Sequence, residues 1–331
     1  MTTGELAVVG LGLVAPGVRG PEGALDPARE AVPGWFRPEV ALPSRGYRRL
    51  PDACKYLLAA SRLAVGDAGD RFAKTERNLR AAAVAVNNTG AALLEELDHI
   101  IMRDGAEEMS PSSSPFIAMS SFASRLSMEH DITGFNLTVN SPVTAGLEAL
   151  GTAARAVAAG RARAVLVCAV EEALSPAQAT GPRSEVGAAV LQCEPVAGGD
   201  AGYGTCRTRG AFLDPAAAAR DVAAVLGPLA GADPPGRIDA VLDDSAVGTA
   251  VARWLDGLSG CDVVLVPSPA QAGCLVPLRR ALGLFAQEHP APTRRAVLAA
   301  SAQGTLAWAD LTVTPRRAGE PDARTEPKAR A

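Results

Sequence analysis

The chemistry open to this chain turns first on two hydroxyls. Ser141 and Thr144 flank a Ser-Pro-Val-Thr turn between a short apolar strand, Leu137-Thr-Val139, and an Ala-rich helix running from Val143 to Ala159 and stopping at Gly160. A hydroxyl there attacks a carbonyl only if a neighbouring base takes its proton. The three His (His99, His130, His289) fall on predicted helices or helix ends elsewhere and read as ordinary surface or interface side chains. No Lys lies between 75 and 327, so nothing is placed to activate either hydroxyl. The six Cys, at 54, 168, 193, 206, 261 and 274, include no CxxC pair of metal-binding type. They read as free, mostly buried thiols of a cytoplasmic protein, and no metal is expected. Gly10-Leu-Gly12 imitates the start of a dinucleotide fingerprint, but Ala15 stands at the third Gly position and Pro16 would break the helix that should follow. No cofactor is expected.

The elements around that turn follow from periodicity. The chain has 331 residues, 48% of them hydrophobic, enough for one large unit or two fused halves. Its 32 basic and 36 acidic residues are well mixed, which argues against a nucleic-acid surface. The run Leu6–Ala15 is short and lacks a basic leader, so it reads as a buried first strand rather than a signal peptide or a membrane span. Helical spacing predicts helices over 47–70, 91–102, 116–129 and 143–159, with strands at 81–86, 137–139, 164–170 and 185–194. After a Gly-rich stretch, 197–210, helices at 215–229, 247–258 and 272–287 alternate with strands at 238–242, 262–266, 296–301 and 305–313. Alternation in both halves, with continuous apolar strands, predicts α/β layers with both sheet faces covered. Two similar halves are expected, 1–205 and a shortened 206–315, followed by a disordered tail at 316–331.

Gly134-Phe-Asn-Leu-Thr-Val-Asn-Ser-Pro-Val-Thr-Ala-Gly-Leu-Glu-Ala-Leu150, continuing through Ala-Ala-Gly160 to Val-Leu-Val-Cys-Ala-Val-Glu-Glu172, resembles the nucleophile region of β-ketoacyl synthases. Leu6–Gly17, Ala59–Gly69, Glu185–Glu194, Arg237–Ala246 and 272–293 resemble further segments of that family, so the likeness covers about 1–315. It implies the thiolase-like αβαβα fold, built from two halves that each have a mixed sheet. In the family a Cys at the strand-to-helix turn carries the acyl chain, and the helix N-terminus favours its thiolate. Val143 occupies that position here. Asp244 falls at the first catalytic His and Ser268 near the second, and the family's Lys has no counterpart. The Gly-Phe-Gly-Gly loop before the last strand is replaced by Ala302-Gln-Gly-Thr-Leu306.

Condensation needs a thiolate plus two His to stabilise the developing enolate. The resemblance therefore implies a degenerate member without catalytic residues, similar to the chain-length-factor subunit of type II polyketide synthases. Such a subunit pairs with an active ketosynthase and lines part of its acyl tunnel, with an acyl carrier protein as an indirect partner. Phe116, Met119 and Ala123, spaced to share one helix face with Phe122 beside them, are the candidate tunnel residues. The competing reading is an enzyme of altered chemistry on the same fold, such as an acyl transferase using a hydroxyl or only binding energy. Neither reading involves nucleic acid or membrane.

Overall fold

The computed structural model describes residues 4–27, 29–43, 45–110, 114–172, 185–196, 202–231, 234–268 and 273–315. The expected disordered tail lies outside these residues. In chain order the elements are β1 (Glu5–Val14), α1 (Pro38–Ala41), α2 (Asp52–Asp67), α3 (Arg71–Lys74), β2 (Arg80–Asn87), α4 (Ala91–Asp104), α5 (Ser120–Glu129), β3 (Asn136–Val139), α6 (Ala145–Ala158), β4 (Ala164–Glu171) and β5 (Gly187–Pro195). A second series follows: β6 (Gly204–Phe212), α7 (Ala218–Ala230), β7 (Arg237–Leu242), α8 (Ala246–Asp256), β8 (Asp262–Pro267), α9 (Leu275–Ala286), β9 (Thr293–Ala300) and β10 (Thr305–Val313).

The strand order is β3-β2-β4-β5-β1-β6-β10-β9-β7-β8. Counted within each half, both sets of five strands run third, second, fourth, fifth, first, and their orders mirror each other about the β1–β6 pair. In both halves the first three strands in that order are parallel and the rest antiparallel. The resemblance implied a separate sheet for each half. Instead Glu5–Val8 pair antiparallel with Gly204–Arg207, so the two half-sheets are continuous. The strand that makes this junction, β6, overlaps the stretch read as a Gly-rich connection. Its alternating burial and its Gly, Thr and Arg content hide it from a search for apolar runs.

Helices α6 and α9 lie between the two half-sheets and share one core with them. Leu147 and Leu150 from α6 and Leu278 and Leu282 from α9 meet Val167, Leu191, Val297 and Leu311. Outside, α2 and α5 cover the first half through Leu57, Leu58, Phe122 and Leu126. Helices α7 and α8 cover the second through Leu226, Leu229, Val247 and Val251. This is the αβαβα layering. The spacing of Gly10 and Gly12 has its explanation here: a Cβ on either would drive into the carbonyl of Ala64 or Ala60 on α2. These glycines let a helix lie close on a strand. Among the described residues no helix is long and apolar enough to cross a membrane.

The predicted helix at 116–129 is broken. Ser114–Ile117 form a 3-10 turn, and α5 begins only at Ser120 after Met119. The Ser121 hydroxyl turns back to the Pro115 carbonyl, one of the local side-chain bonds by which serine competes with helix propagation. The single helical face assumed for Phe116, Met119 and Ala123 therefore does not exist.

Candidate functional site

The C-terminal ends of the parallel strands β2, β3 and β4 are where an α/β sheet of this kind offers a site, and the Val143 turn lies there. Val143 is fully buried with φ at +53°, a left-handed backbone that a β-branched residue rarely adopts. The Thr144 N–H closes a three-residue turn on the Pro142 carbonyl across it, after which α6 begins. Strain of this type costs about 1–3 kcal/mol and survives only where the surroundings enforce it.

Ser268, just past β8, is brought to this turn. Its N–H bonds to the Leu242 carbonyl at 2.9 Å, and any side chain on Gly273 would strike Ser268 Oγ and touch Val143 Cγ2. Asp244 is not brought there by any contact. It is exposed in the turn between β7 and α8, and among the described residues it has no hydrogen bond or ion pair. Its neighbour Asp243 points inward instead, accepting the Ser245 N–H at 3.1 Å.

The hydroxyls beside the turn are committed to one carboxylate. Thr144 Oγ1 donates to Glu148 Oε1, and Ser141 Oγ lies 3.4 Å from Glu148 Oε2. Thr144 is itself fully buried. Cys274, at the start of α9, has its carbonyl against Gly146 of α6. It is not set up to act as a nucleophile. Its thiol is buried against the Val170 carbonyl at 3.5 Å, and burial with Glu171 nearby pushes its pKa well above the usual thiol range.

Two residues that the sequence reading did not single out organise the site. Glu171 and Glu172, at the end of β4, are buried carboxyls that bind backbone N–H groups. Glu171 accepts the N–H groups of Gly273 at 2.7 Å and Leu275 at 3.2 Å, which fixes the entry of α9. Glu172 accepts those of Ala53 at 3.2 Å and Gly90 at 2.9 Å, at the starts of α2 and α4. Burial pushes the Glu171 pKa up to about 8, outweighing the two N–H donors that favour its charge. Among the described residues no group of three or more His, Cys, Asp or Glu could hold a metal ion.

None of the histidines lies at the turn. His99 is exposed on α4, and His289 is partly exposed beyond α9. His130 departs from the surface role expected of it: it packs edge-on against Phe72 at 6.0 Å, and its Nε2 donates to Ser61 Oγ at 2.8 Å, since that hydroxyl gives its own proton to the Leu58 carbonyl. Burial lowers its pKa to about 4. A folded pKa below the unfolded value of about 6.5 means stability is complete above pH 6.5 and lost as pH falls towards 4. Urea unfolding should show that loss, on the order of 2–3 kcal/mol by pH 4, and His130→Asn should remove it. Parallel pH profiles for the two proteins would refute the assignment.

The tunnel candidates separate. Phe122 and Ala123 are buried in the core under α2. Phe116 is half-buried with its ring edge-on to Phe122 at 5.8 Å, and Met119 is exposed with the Asn140 amide on its sulfur.

Residues 37–213 match the family model for the β-ketoacyl synthase, N-terminal domain. Among curated proteins, the chain is 29% identical over 131 residues to 3-oxoacyl-[acyl-carrier-protein] synthase 2 of Vibrio harveyi, covering 39% of this chain and 31% of that one. It is 27% identical over 143 residues to the same-named protein of Vibrio cholerae, covering 43% and 34%. The aligned stretch thus spans about a third of these relatives' length. Among solved structures, the ishigamide ketosynthase/chain length factor superposes with a TM-score of 0.70 at 19% identity, covering 94% of this chain and 100% of that chain. A chain from the complex of a type II PKS acyl-carrier protein with its ketosynthase bound to the hexaketide gives 0.69 at 14%, with the same coverage. At these identities the structures establish the thiolase-like ketosynthase fold, and the family match over more than half of the sequence establishes descent. The chain belongs to the β-ketoacyl synthase family.

Proposed function

We propose that this chain is a non-catalytic, chain-length-factor-like subunit that pairs with an active ketosynthase and shapes its acyl tunnel in polyketide or fatty-acid-type biosynthesis in the cytoplasm. The observation that carries this reading is the state of the nucleophile turn. The backbone of the turn is strained, but it presents a fully buried Val143, with Ser268 near where a His would serve and, among the described residues, no Lys or imidazole in contact with it. The curated relatives are named as synthases, and their printed name transfers the chemistry only if the groups that perform it are present.

A second reading has one observation in its favour. The Thr144 hydroxyl bonded to Glu148 is the outline of a nucleophile with a base, as an acyl transferase of altered chemistry would need. Against it, Thr144 is fully buried, and a carboxylate is a weak base for an alcohol. The two readings part on intact-protein mass after incubation with acyl carrier protein thioesters: the first expects no adduct, the second an acyl ester within 141–144.

The pairing reading draws support from β3, an edge strand of four residues whose outer side has no strand against it among the described residues. Open edges invite pairing, and in this fold that strand is the one that pairs across the dimer axis. Of the tunnel candidates, the half-buried Phe116 and the exposed Met119 would reach a partner on this reading, while the buried Phe122 and Ala123 would support them from the core. Co-expression with an active type II ketosynthase subunit from the same genome should yield a stable complex, and Phe116→Ala and Met119→Ala should lengthen its products by opening volume at the tunnel end. Unchanged lengths in a confirmed complex would end the tunnel assignment; failure to co-purify would end the pairing.

A further inference from the structure

We propose that Arg295, Arg237 and His289 bind a small oxyanion of the phosphate class, at the end of β7 and β9 opposite to Ser268 and the Val143 turn. The inference is independent of the pairing reading above.

Strands β7, β8 and β9 run parallel, and their register sets Asp262, Arg237 and Arg295 side by side. Neighbours in register carry their side chains on the same face, with strands about 4.8 Å apart. By the two-residue alternation that face also holds Asp239, Val241 and Val297, the two valines belonging to the core around α9. From α9, Arg280 Nε donates to Asp239 Oδ2 at 2.6 Å, while Arg237 Nε donates to Oδ1 at 2.7 Å. Asp239 is fully buried, so three guanidiniums meet one buried carboxylate, and two of them have taken both its oxygens. Arg295 has no carboxylate partner among the described residues; its Nη1 reaches only the Arg294 carbonyl, at 3.5 Å. Asp262 is exposed on the far side of Arg237.

Two buried nitrogens here have no hydrogen-bond partner, Arg295 Nε and His289 Nε2. The two side chains belong together: the His289 pKa is lowered by burial and then by the charge of Arg295. Like charges directly opposite each other destabilise a sheet, and an orphaned buried donor forfeits its full desolvation cost. One oxyanion answers both. The guanidinium fork of Arg295 matches two oxygens of a phosphate, and a third oxygen accepts from the His289 N–H or from an N–H of Arg237 that Asp239 leaves free. The double charge of phosphate at neutral pH offsets the excess of guanidinium over carboxylate better than a carboxylate ligand would.

The test uses the native chain, which has only three His. The His289 imidazole signal is assigned in NMR by its loss in His289→Asn. In phosphate its pKa should stand about half a unit or more above that in chloride at equal ionic strength, because an anion beside the ring favours the charged form. The other charged and titratable groups around it, Glu288, Arg237, Asp239, Arg280, Cys261 and Asp262, are the same in both solutions, so the difference isolates the anion. Arg295→Gln, with its fold checked by circular dichroism, should weaken phosphate binding at least tenfold by calorimetry. Glycerol phosphate separates the sources: equal affinity assigns the site to phosphate carried on an organic molecule, weaker affinity to the free ion, and both support an oxyanion site. Identical His289 titrations in phosphate and chloride, or full phosphate affinity in folded Arg295→Gln, overturn the proposal.

Discussion

Val143→Cys should leave the protein unable to condense acyl and malonyl units, with product no higher than in the absence of protein. The substitution itself is well tolerated on geometric grounds, because Cys is not β-branched and suffers less than Val at φ +53°. What fails is the chemistry around it. Among the described residues no imidazole or ammonium contacts the turn to bind the malonyl carbonyl, and the charged group beside it, Glu148, is an acid. A carboxylate beside the new thiol raises its pKa and opposes an oxyanion. The measurement is carrier-protein-bound product by mass spectrometry, for the single variant and for Val143→Cys/Asp244→His/Ser268→His. Turnover by the single variant, at any rate above background, would show that the missing groups are supplied from elsewhere.

The second large effect belongs to Glu171. Because its folded pKa is raised to about 8 from an ordinary 4.5, the folded state holds a proton that the unfolded chain releases. Its contribution is complete below pH 4.5 and lost as pH rises through 8. Between 4.5 and 6.5 the opposite trend of His130 offsets it. Between 6.5 and 8 it acts without that offset, and unfolding free energy should fall by about 1.5 kcal/mol across that window. Glu171→Gln should flatten the fall, since it is neutral throughout and can still accept one N–H. Glu171→Leu should cost roughly 2–6 kcal/mol at every pH, because it orphans the buried N–H groups of Gly273 and Leu275. Equal slopes for the native protein and Glu171→Gln would remove the carboxyl from the explanation.

These two residues also mark the limit of what the sequence discloses. The Val143 turn was legible because a short apolar strand, a Ser-Pro step and an Ala-rich helix with its Gly stop are local signals. The alternation of strands and helices was legible for the same reason. Strand β6 was not, because its stabilisation comes from β1 and β10, remote in sequence, rather than from apolar residues of its own. The break before α5 depends on where one serine hydroxyl finds a carbonyl. Glu171 and Glu172 read as the charged end of a strand, and only contacts more than a hundred residues away for Glu171, and over 80 for Glu172, turn them into clamps for helix starts.

The mirrored strand order bears on the origin of the elbow. In the first half β3 leads through Val143, at φ +53°, to Thr144 at the head of α6; in the second, β8 leads through Gly273, at φ +99°, to Cys274 at the head of α9. Both halves make a left-handed step two residues before the first residue of a central helix, whichever residue type stands there. The step is thus the bend this architecture needs to pass a chain from sheet to middle layer. A nucleophile would be a lodger on that bend: with or without one, the chain still has to turn the corner.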